Sequence, residues 1–296
     1  MSSSSKSAYF QPRTLKEASD LLIAHPRSAK LVAGGTDLVP ALSRDHARRV
    51  KVISLKKLEE LKGIRQHGKN EVFIGAMTTH SEVAESPLIN KYFPALSKAS
   101  SLVGSPSIRN LGTIGGNIAN ASPSADTAPP LLAYGAKAII RGQAGEKQVP
   151  IEHFFTGPSA HILAKGEILR GFVLTYQEES FSDYEKLGIR KAMEIAIASA
   201  CVSIGLRDGI YCQHIRIALG AVAPTPIRAV KAEKIVEGKT ITPDLIRKAA
   251  RVAMQETRPI SDIRASADYR KKMVASLVER LVLHASSTRA ESSLKG

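Results

Sequence analysis

The sequence predicts an α+β protein built in two parts, and three observations carry that reading. Over residues 14–176, short apolar runs alternate with stretches whose apolar residues recur at helical spacing. Further on, Asp208-Gly209 separates two apolar runs, 201–206 and 210–219, which is a strong local hairpin signal. The chain then closes on a long amphipathic segment, 267–285, with Met273, Val274, Leu277, Val278, Leu281 and Val282 on or near one face. At 296 residues the chain is long enough to bury one large core or two domains of ordinary size, and two are expected. The change of character falls between 175 and 185. The expected division is 1–177, 178–286 and a flexible tail, 287–296.

Taken in order, residues 1–8 read as a low-complexity serine-rich tail. Residues 14–25 read as a helix: Leu15, Ala18, Leu21 and Leu22 share a face, Thr14 can cap it with Glu17 three residues on, and Pro26 stops it. Residues 29–32, 50–55 and 71–76 are apolar enough for strands. A helical turn is expected over 81–85 and a helix with a small-residue face over 92–103. The stretch 108–126 has neither period and is rich in Gly, Asn and Ser, a composition used where backbone must approach something closely. A short helix at 128–134 and strands at 137–141 and 168–176 follow, with 177–183 as a connection. Pro224 and Pro226 close the hairpin sheet, and Pro243 near the start of 242–256 suits the first turn of a helix.

Composition narrows the function classes. Apolar residues make up 43% and charged residues 23%, which fits a folded globular chain rather than a disordered one. The longest weakly charged stretch, 111–136, holds Asn117, Asn120, Asp126 and three prolines, so it is no lipid-spanning helix. With no basic-then-apolar leader, the expected location is cytoplasmic. Two cysteines, Cys201 and Cys212, exclude a disulfide scaffold and a four-cysteine cluster within this chain. Lys plus Arg total 42 against 27 Asp plus Glu, a net +15. That balance invites nucleic acid, but the basic residues are dispersed, and the dense runs 44–57 and 264–272 carry few aromatics for stacking bases. The reading is therefore no nucleic acid, with the charge on a solvated surface or facing acidic partner subunits.

Two glycine loops are the chemically pointed features. Ala33-Gly34-Gly35-Thr36-Asp37-Leu38 can be an ordinary tight turn, or its successive N–H groups can converge on a phosphate, with Thr36 adding a hydroxyl. It is not the GxGxxG fingerprint. In the second stretch Gly115-Gly116 is expected to free further backbone donors, Thr113 and Ser122 supply hydroxyls, and Asn117 supplies an amide. Asp126 would repel a diphosphate, so a sugar hydroxyl is its sensible partner. Two such loops in one domain suit the two ends of a dinucleotide. Nothing resembles a catalytic set. His80, His153, His161 and His214 are scattered and read as structural or solvated, there is no GxSxG elbow, and no metal site stands out. Any chemistry therefore belongs to a bound cofactor.

These residues, with Ile108-Arg109-Asn110, Ala119-Asn120-Ala121-Ser122-Pro123, Ala125-Asp126, Tyr184-Glu185-Lys186, the run 219–226 and Ser266-Ala267-Asp268-Tyr269-Arg270, closely resemble the FAD-binding medium subunits of molybdenum hydroxylases. That group includes bacterial xanthine dehydrogenases, aerobic carbon monoxide dehydrogenases and 4-hydroxybenzoyl-CoA reductases. The resemblance spans residues 9–285. It implies a PCMH/vanillyl-alcohol-oxidase-type FAD-binding domain followed by a smaller α+β C-terminal domain. It also implies FAD held without a covalent link: Ala33, Gly34, Gly35, Thr36, Asp37 and Leu38 on one side of the diphosphate, Ile108, Thr113, Gly115, Gly116 and Asn117 on the other. Ser122 and Asp126 would serve the ribityl–ribose portion. Lys186 would lie nearer the flavin, where its charge would favour an anionic ring.

By the same resemblance, this is an oxidoreductase subunit within a heterotrimer or its dimer. A large subunit with molybdopterin hydroxylates substrate, a small subunit with two [2Fe-2S] clusters relays electrons, and FAD here delivers them to NAD or another acceptor. The [4Fe-4S] cluster of the 4-hydroxybenzoyl-CoA reductases is not expected, because two cysteines eleven residues apart cannot ligate it. Glu194-Ile195-Ala196 replaces the Asp usual before Ile-Ala and keeps its charge. The competing readings are a self-contained flavin oxidase, which should carry its own substrate base, and a stand-alone FAD-binding or assembly protein.

Overall fold

The computed structural model describes residues 7–44, 50–177, 180–190 and 193–293. Three larger sheets organise the described residues, beside a two-stranded pair of Phe155–Gly157 with Ala160–His161. The first is small and parallel, with Lys51–Ser54 between Ala8–Phe10 and Ala29–Val32. Helix Leu15–Ala24 makes the crossover that parallel pairing requires. Its cap is the expected one: the Thr14 side chain accepts the Glu17 N–H, and the Glu17 carboxylate reaches back to the N–H of Arg13. Ala8 opens a strand rather than ending a tail, and residues 1–6 lie outside the described residues.

The second sheet is antiparallel, in the order Ile64–Gln66, Glu71–Gly75, Ile168–Thr175, Lys137–Gly142, Gly145–Pro150. Its inner face packs on a run of short helices. Three of them, Pro87–Tyr92, Pro94–Ser101 and Pro106–Arg109, begin with proline, whose fixed φ and missing N–H suit a first turn. The helix expected over 92–103 therefore starts at Pro94 and ends at Ser101, and Tyr92 closes the helix before it. The core here joins Val72, Ile74, Leu96, Ile114, Leu131, Phe154 and Phe172.

The third sheet runs Ser180–Leu187, Ala198–Arg207, Tyr211–Gly220 and Ile227–Arg228, all antiparallel. At its hairpin Asp208 and Gly209 both have positive φ, 53° and 72°, as a type I′ turn demands. One face meets Val230–Val236, Pro243–Gln255 and Ala267–Ser293 over a core that includes Val202, Leu219, Ala249, Leu277 and Leu281. The other face sends Tyr184, Cys201 and Ala218 into the core of the second sheet. Burial on both sides explains why 198–206 is unbroken apolar and small sequence instead of an alternating strand. Cys201 and Cys212 are buried free thiols whose pKa values burial drives up, Cys212 to about 12, so both are packing residues.

Two sequence expectations are corrected here. Residues 180–183 are the start of a strand, not a connection, because Ser182 and Tyr184 pair across the sheet while facing the first half of the chain. The last helix continues to Ser293, past the frayed end expected from residue 286, and 294–296 lie outside the described residues. Among the described residues no helix is long and apolar enough to cross a membrane.

Candidate functional site

A cavity of about 950 Å³ opens where the three sheets meet. It lies at the upper end of ordinary small-molecule sites, roughly 300–1,000 Å³. The parallel sheet contributes the loop after Ala29–Val32, which carries residues 33–38; the antiparallel sheet contributes 76–80, 103–126 and 161–169; and the third unit contributes Met193, Glu194 and Ile195. Every cofactor-binding candidate named from the sequence lines this cavity except Lys186.

The first loop lines the cavity along its whole length, Ala33 to Leu38. Gly35 has φ +76°, in the region where a side chain is strained, so successive N–H groups turn the same way. Among the described residues nothing accepts the N–H groups of Gly34, Gly35, Thr36 and Asp37. Four donors on one turn at a cavity wall are left available to an acceptor in the cavity.

The second loop is built differently, and the expectation that its glycines free backbone donors does not hold. Residues 114–119 form a short helix capped by Thr113, whose hydroxyl oxygen accepts from Gly116 N at 3.0 Å. The Gly115 N–H donates to Ala76 O, Ile114 N–H to Thr78 O and Asn117 N–H to Thr113 O, each at 2.9 Å. Gly115 is glycine because a Cβ would stand 2.4 Å from that of Ala76. Gly34 obeys the same logic across the site: its Cβ would fall 2.0 Å from Leu111 O. Close packing of backbone on backbone therefore locks the two loops together. Gly116 lines the cavity opposite Ala33 with no side chain to fill it. Asn117 turns its Oδ1 to the Thr127 hydroxyl at 2.6 Å, and the Ser122 and Ser124 hydroxyls pair at 3.0 Å.

Asp126 sits at the floor, only 8% exposed. Its Oδ1 accepts the Tyr184 hydroxyl at 2.8 Å and its Oδ2 the Lys186 ammonium at 3.0 Å; Lys186 also donates to Leu102 O at 2.7 Å. Burial raises the Asp126 pKa, and Lys186 and Tyr184 pull it back down. The Lys186 ammonium is thus paired with the Asp126 carboxylate, and its side chain is largely buried. Glu194 lines the cavity and takes the backbone N–H of Arg190.

The second half of the chain buttresses this floor. Ala221 N–H donates to Pro123 O at 2.7 Å, and Gly220 passes so close to helix Ala128–Ala133 that a Cβ would meet Pro129 at 2.9 Å. Arg270, 3% exposed, ties Ile197 O, Ala221 O and Asp262 together, which explains the run 266–270 as structural.

Sequence reasoning missed lining imidazoles, His80 and His161 among them. His80 was read as structural or solvated, yet it lines the cavity at 2% exposure, and its Nδ1 has no hydrogen-bond partner. Burial, helped by the Arg109 guanidinium, holds its pKa down to about 4, so the ring is neutral at pH 7. The only available signal was its place four residues beyond the apolar run 71–76, at the start of the helical turn. No group of three or more metal-ligating side chains occurs among the described residues.

Comparison with known proteins agrees with this geometry. Residues 3–174 match the FAD binding domain in molybdopterin dehydrogenase, and residues 183–285 match the CO dehydrogenase flavoprotein C-terminal domain. The chain is 34% identical over 280 residues to the putative xanthine dehydrogenase FAD-binding subunit of Escherichia coli, covering 94% of this chain and 95% of that one. It is 34% identical over 273 residues to the carbon monoxide dehydrogenase medium chain of Hydrogenophaga pseudoflava, covering 92% and 94%. A solved carbon monoxide dehydrogenase from that organism superposes with a TM-score of 0.91 at 34% identity, over 96% of this chain and 98% of that chain.

Proposed function

Because the chain belongs to the FAD-binding medium subunits of the xanthine dehydrogenase and carbon monoxide dehydrogenase family, we propose that it is the electron-transfer subunit of a heteromeric molybdenum hydroxylase. In this reading a small partner with two [2Fe-2S] clusters supplies electrons taken from substrate at molybdopterin in a large partner, and NAD or another acceptor receives them. FAD, when bound, supplies the junction between one-electron and two-electron carriers.

The observation that carries the reading is the turn of four unpartnered N–H groups at 34–37, facing a cavity whose opposite wall is the side-chain-free Gly116. Gly34, Gly35, Thr36 and Asp37 would seat the diphosphate, and Ala33, Leu38 and Ile108 would bound it. Thr113 and Gly115 act indirectly, by fixing the short helix that presents Gly116 and Asn117. Ser122 and Asp126 remain our candidates for the sugar portion, with Tyr184 and Lys186 positioning the Asp126 carboxylate rather than touching the ring. No side chain here need act as acid or base. The chain's task is to hold the cofactor, exclude water from its diphosphate and leave an edge open near Met193 and Ile195, both exposed. We place the complex in the cytoplasm as a heterotrimer or its dimer, and divide this chain near residue 177.

Purification of the tagged chain from its own cells tests this directly. The expected result is co-elution with two further chains, and iron, molybdenum and FAD in a ratio of four to one to one. A folded, FAD-loaded chain that elutes alone from every growth condition would overturn the partner assignment.

A further inference from the structure

The four donors of the 34–37 turn leave one neighbouring group unexplained. The ring of His80 stands directly behind Gly112: a Cβ there would lie 3.3 Å from His80 Cδ2 and 3.5 Å from the Thr36 hydroxyl oxygen. The imidazole edge and the anion-seating loop therefore flank the same point. His80 is fixed from both sides, since its own N–H donates to Gly112 O at 3.0 Å and it opens a helix with the Thr79–Glu82 capping box.

Its Nδ1 is sealed from solvent with no partner, while among the described residues nothing bonds Nε2, the neighbour of the Cδ2 that faces Gly112 in this cavity-lining ring. A neutral imidazole has one N–H and one lone pair. Sealing a donor without an acceptor is rarer than sealing an acceptor without a donor, so the lone pair belongs on Nδ1 and the proton on Nε2. The nearby Arg109 opposes a second proton on the ring.

We propose that His80 is a further cofactor-binding residue, whose neutral imidazole donates Nε2–H to the FAD diphosphate beside the free N–H groups of residues 34–37. The inference rests on the FAD reading of the cavity. A neutral donor suits this position: it adds to the seat without adding a charge that depends on pH near neutrality, and it places a rigid group where water would otherwise solvate the phosphates.

Titration of the flavin-free full chain with FAD, and with ADP as a diphosphate probe, separates the possibilities. His80→Phe, which fills the space without a donor, should weaken both ligands by about tenfold or more, the usual effect of losing a hydrogen bond to a charged group. His80→Gln, whose amide N–H replaces Nε2–H, should recover most of that loss. Equal FAD binding by wild type and His80→Phe overturns the His80 proposal and leaves the FAD reading standing; wild type that takes up no FAD overturns the reading itself. Loss of FAD affinity with ADP affinity intact overturns the assignment to the diphosphate. An independent check needs no variant. In ¹⁵N-histidine-labelled protein at pH 6, His80 should be the Nε2–H tautomer, and FAD should shift Nε2 more than Nδ1. An Nδ1–H tautomer or an imidazolium would contradict the proposal.

Discussion

At the residue scale, the glycines of this site divide by what they do, and substitution separates the roles. Gly34→Ala drives a methyl into Leu111 O and must part the two loops, so we expect a loss of about 1–3 kcal/mol in stability together with loss of FAD binding, measured by urea unfolding and by titration. Sequence inspection singled out these glycines, which line one cavity, but gave all of them one purpose. Gly35 frees donors through its backbone conformation; Gly115 frees none and is small because Ala76 lies against it. That distinction depends on which segment packs opposite, and sequence proximity does not reveal it. The same limit hid His80. Its pKa of about 4 against an ordinary 6.5 means the unfolded chain gains a proton at higher pH than the folded one. Stability from this group is complete above pH 6.5 and is lost as pH falls toward 4, an effect on the order of 3 kcal/mol. Measured from pH 7 to 4.5, His80→Gln should show a flatter decline than wild type; parallel curves would contradict the buried, neutral ring.

At the element scale, the strand Ser180–Leu187 is the seam of the molecule. Tyr184 and Lys186 reach the Asp126 floor, Ser182 meets the Tyr134 hydroxyl at 2.5 Å, and Asp183 pairs with Lys98 at 2.7 Å. Lys98 is half exposed, so that pair contributes little. The Asp126–Lys186 pair is buried, and removing one partner leaves a charge without compensation. Lys186→Met should cost about 3–5 kcal/mol, whereas the double variant with Asp126→Asn should cost less than the sum. Thermal unfolding of the four proteins tests that coupling. The sequence reads as a connection over 177–183, where Gln177, Glu178, Glu179 and Asp183 are polar, whereas the pairing of 180–187 with 198–205 is a long-range fact. The hairpin that follows was legible, since Asp-Gly encodes its own turn. Gly209→Ala, at φ +72°, should cost about 1 kcal/mol and leave FAD binding unchanged.

At the scale of the whole molecule, the site exists only because three sheets converge on it, and each was partly visible beforehand. The α+β class, the terminal helices and the membership of the two loops in one site were readable from period, turn chemistry and the resemblance of spaced residues. The short helices after proline and the joint burial of the third sheet were not, because tertiary packing sets them. The net charge of +15 also belongs to this scale. If it serves docking, assembly of the complex should weaken steadily between about 0.05 and 0.5 M salt, as sedimentation would show. Assembly indifferent to salt would assign the charge to solvation alone. The central claim, that this chain carries FAD on the paired loops, is tested most directly by equilibrium titration of the flavin-free protein alongside Gly116→Asp, which puts a carboxylate into the open wall. The account predicts one FAD per wild-type chain and a severe loss of affinity in the variant with its thermal unfolding little changed. Folded wild type that binds no FAD, or a variant that binds as tightly, would contradict it.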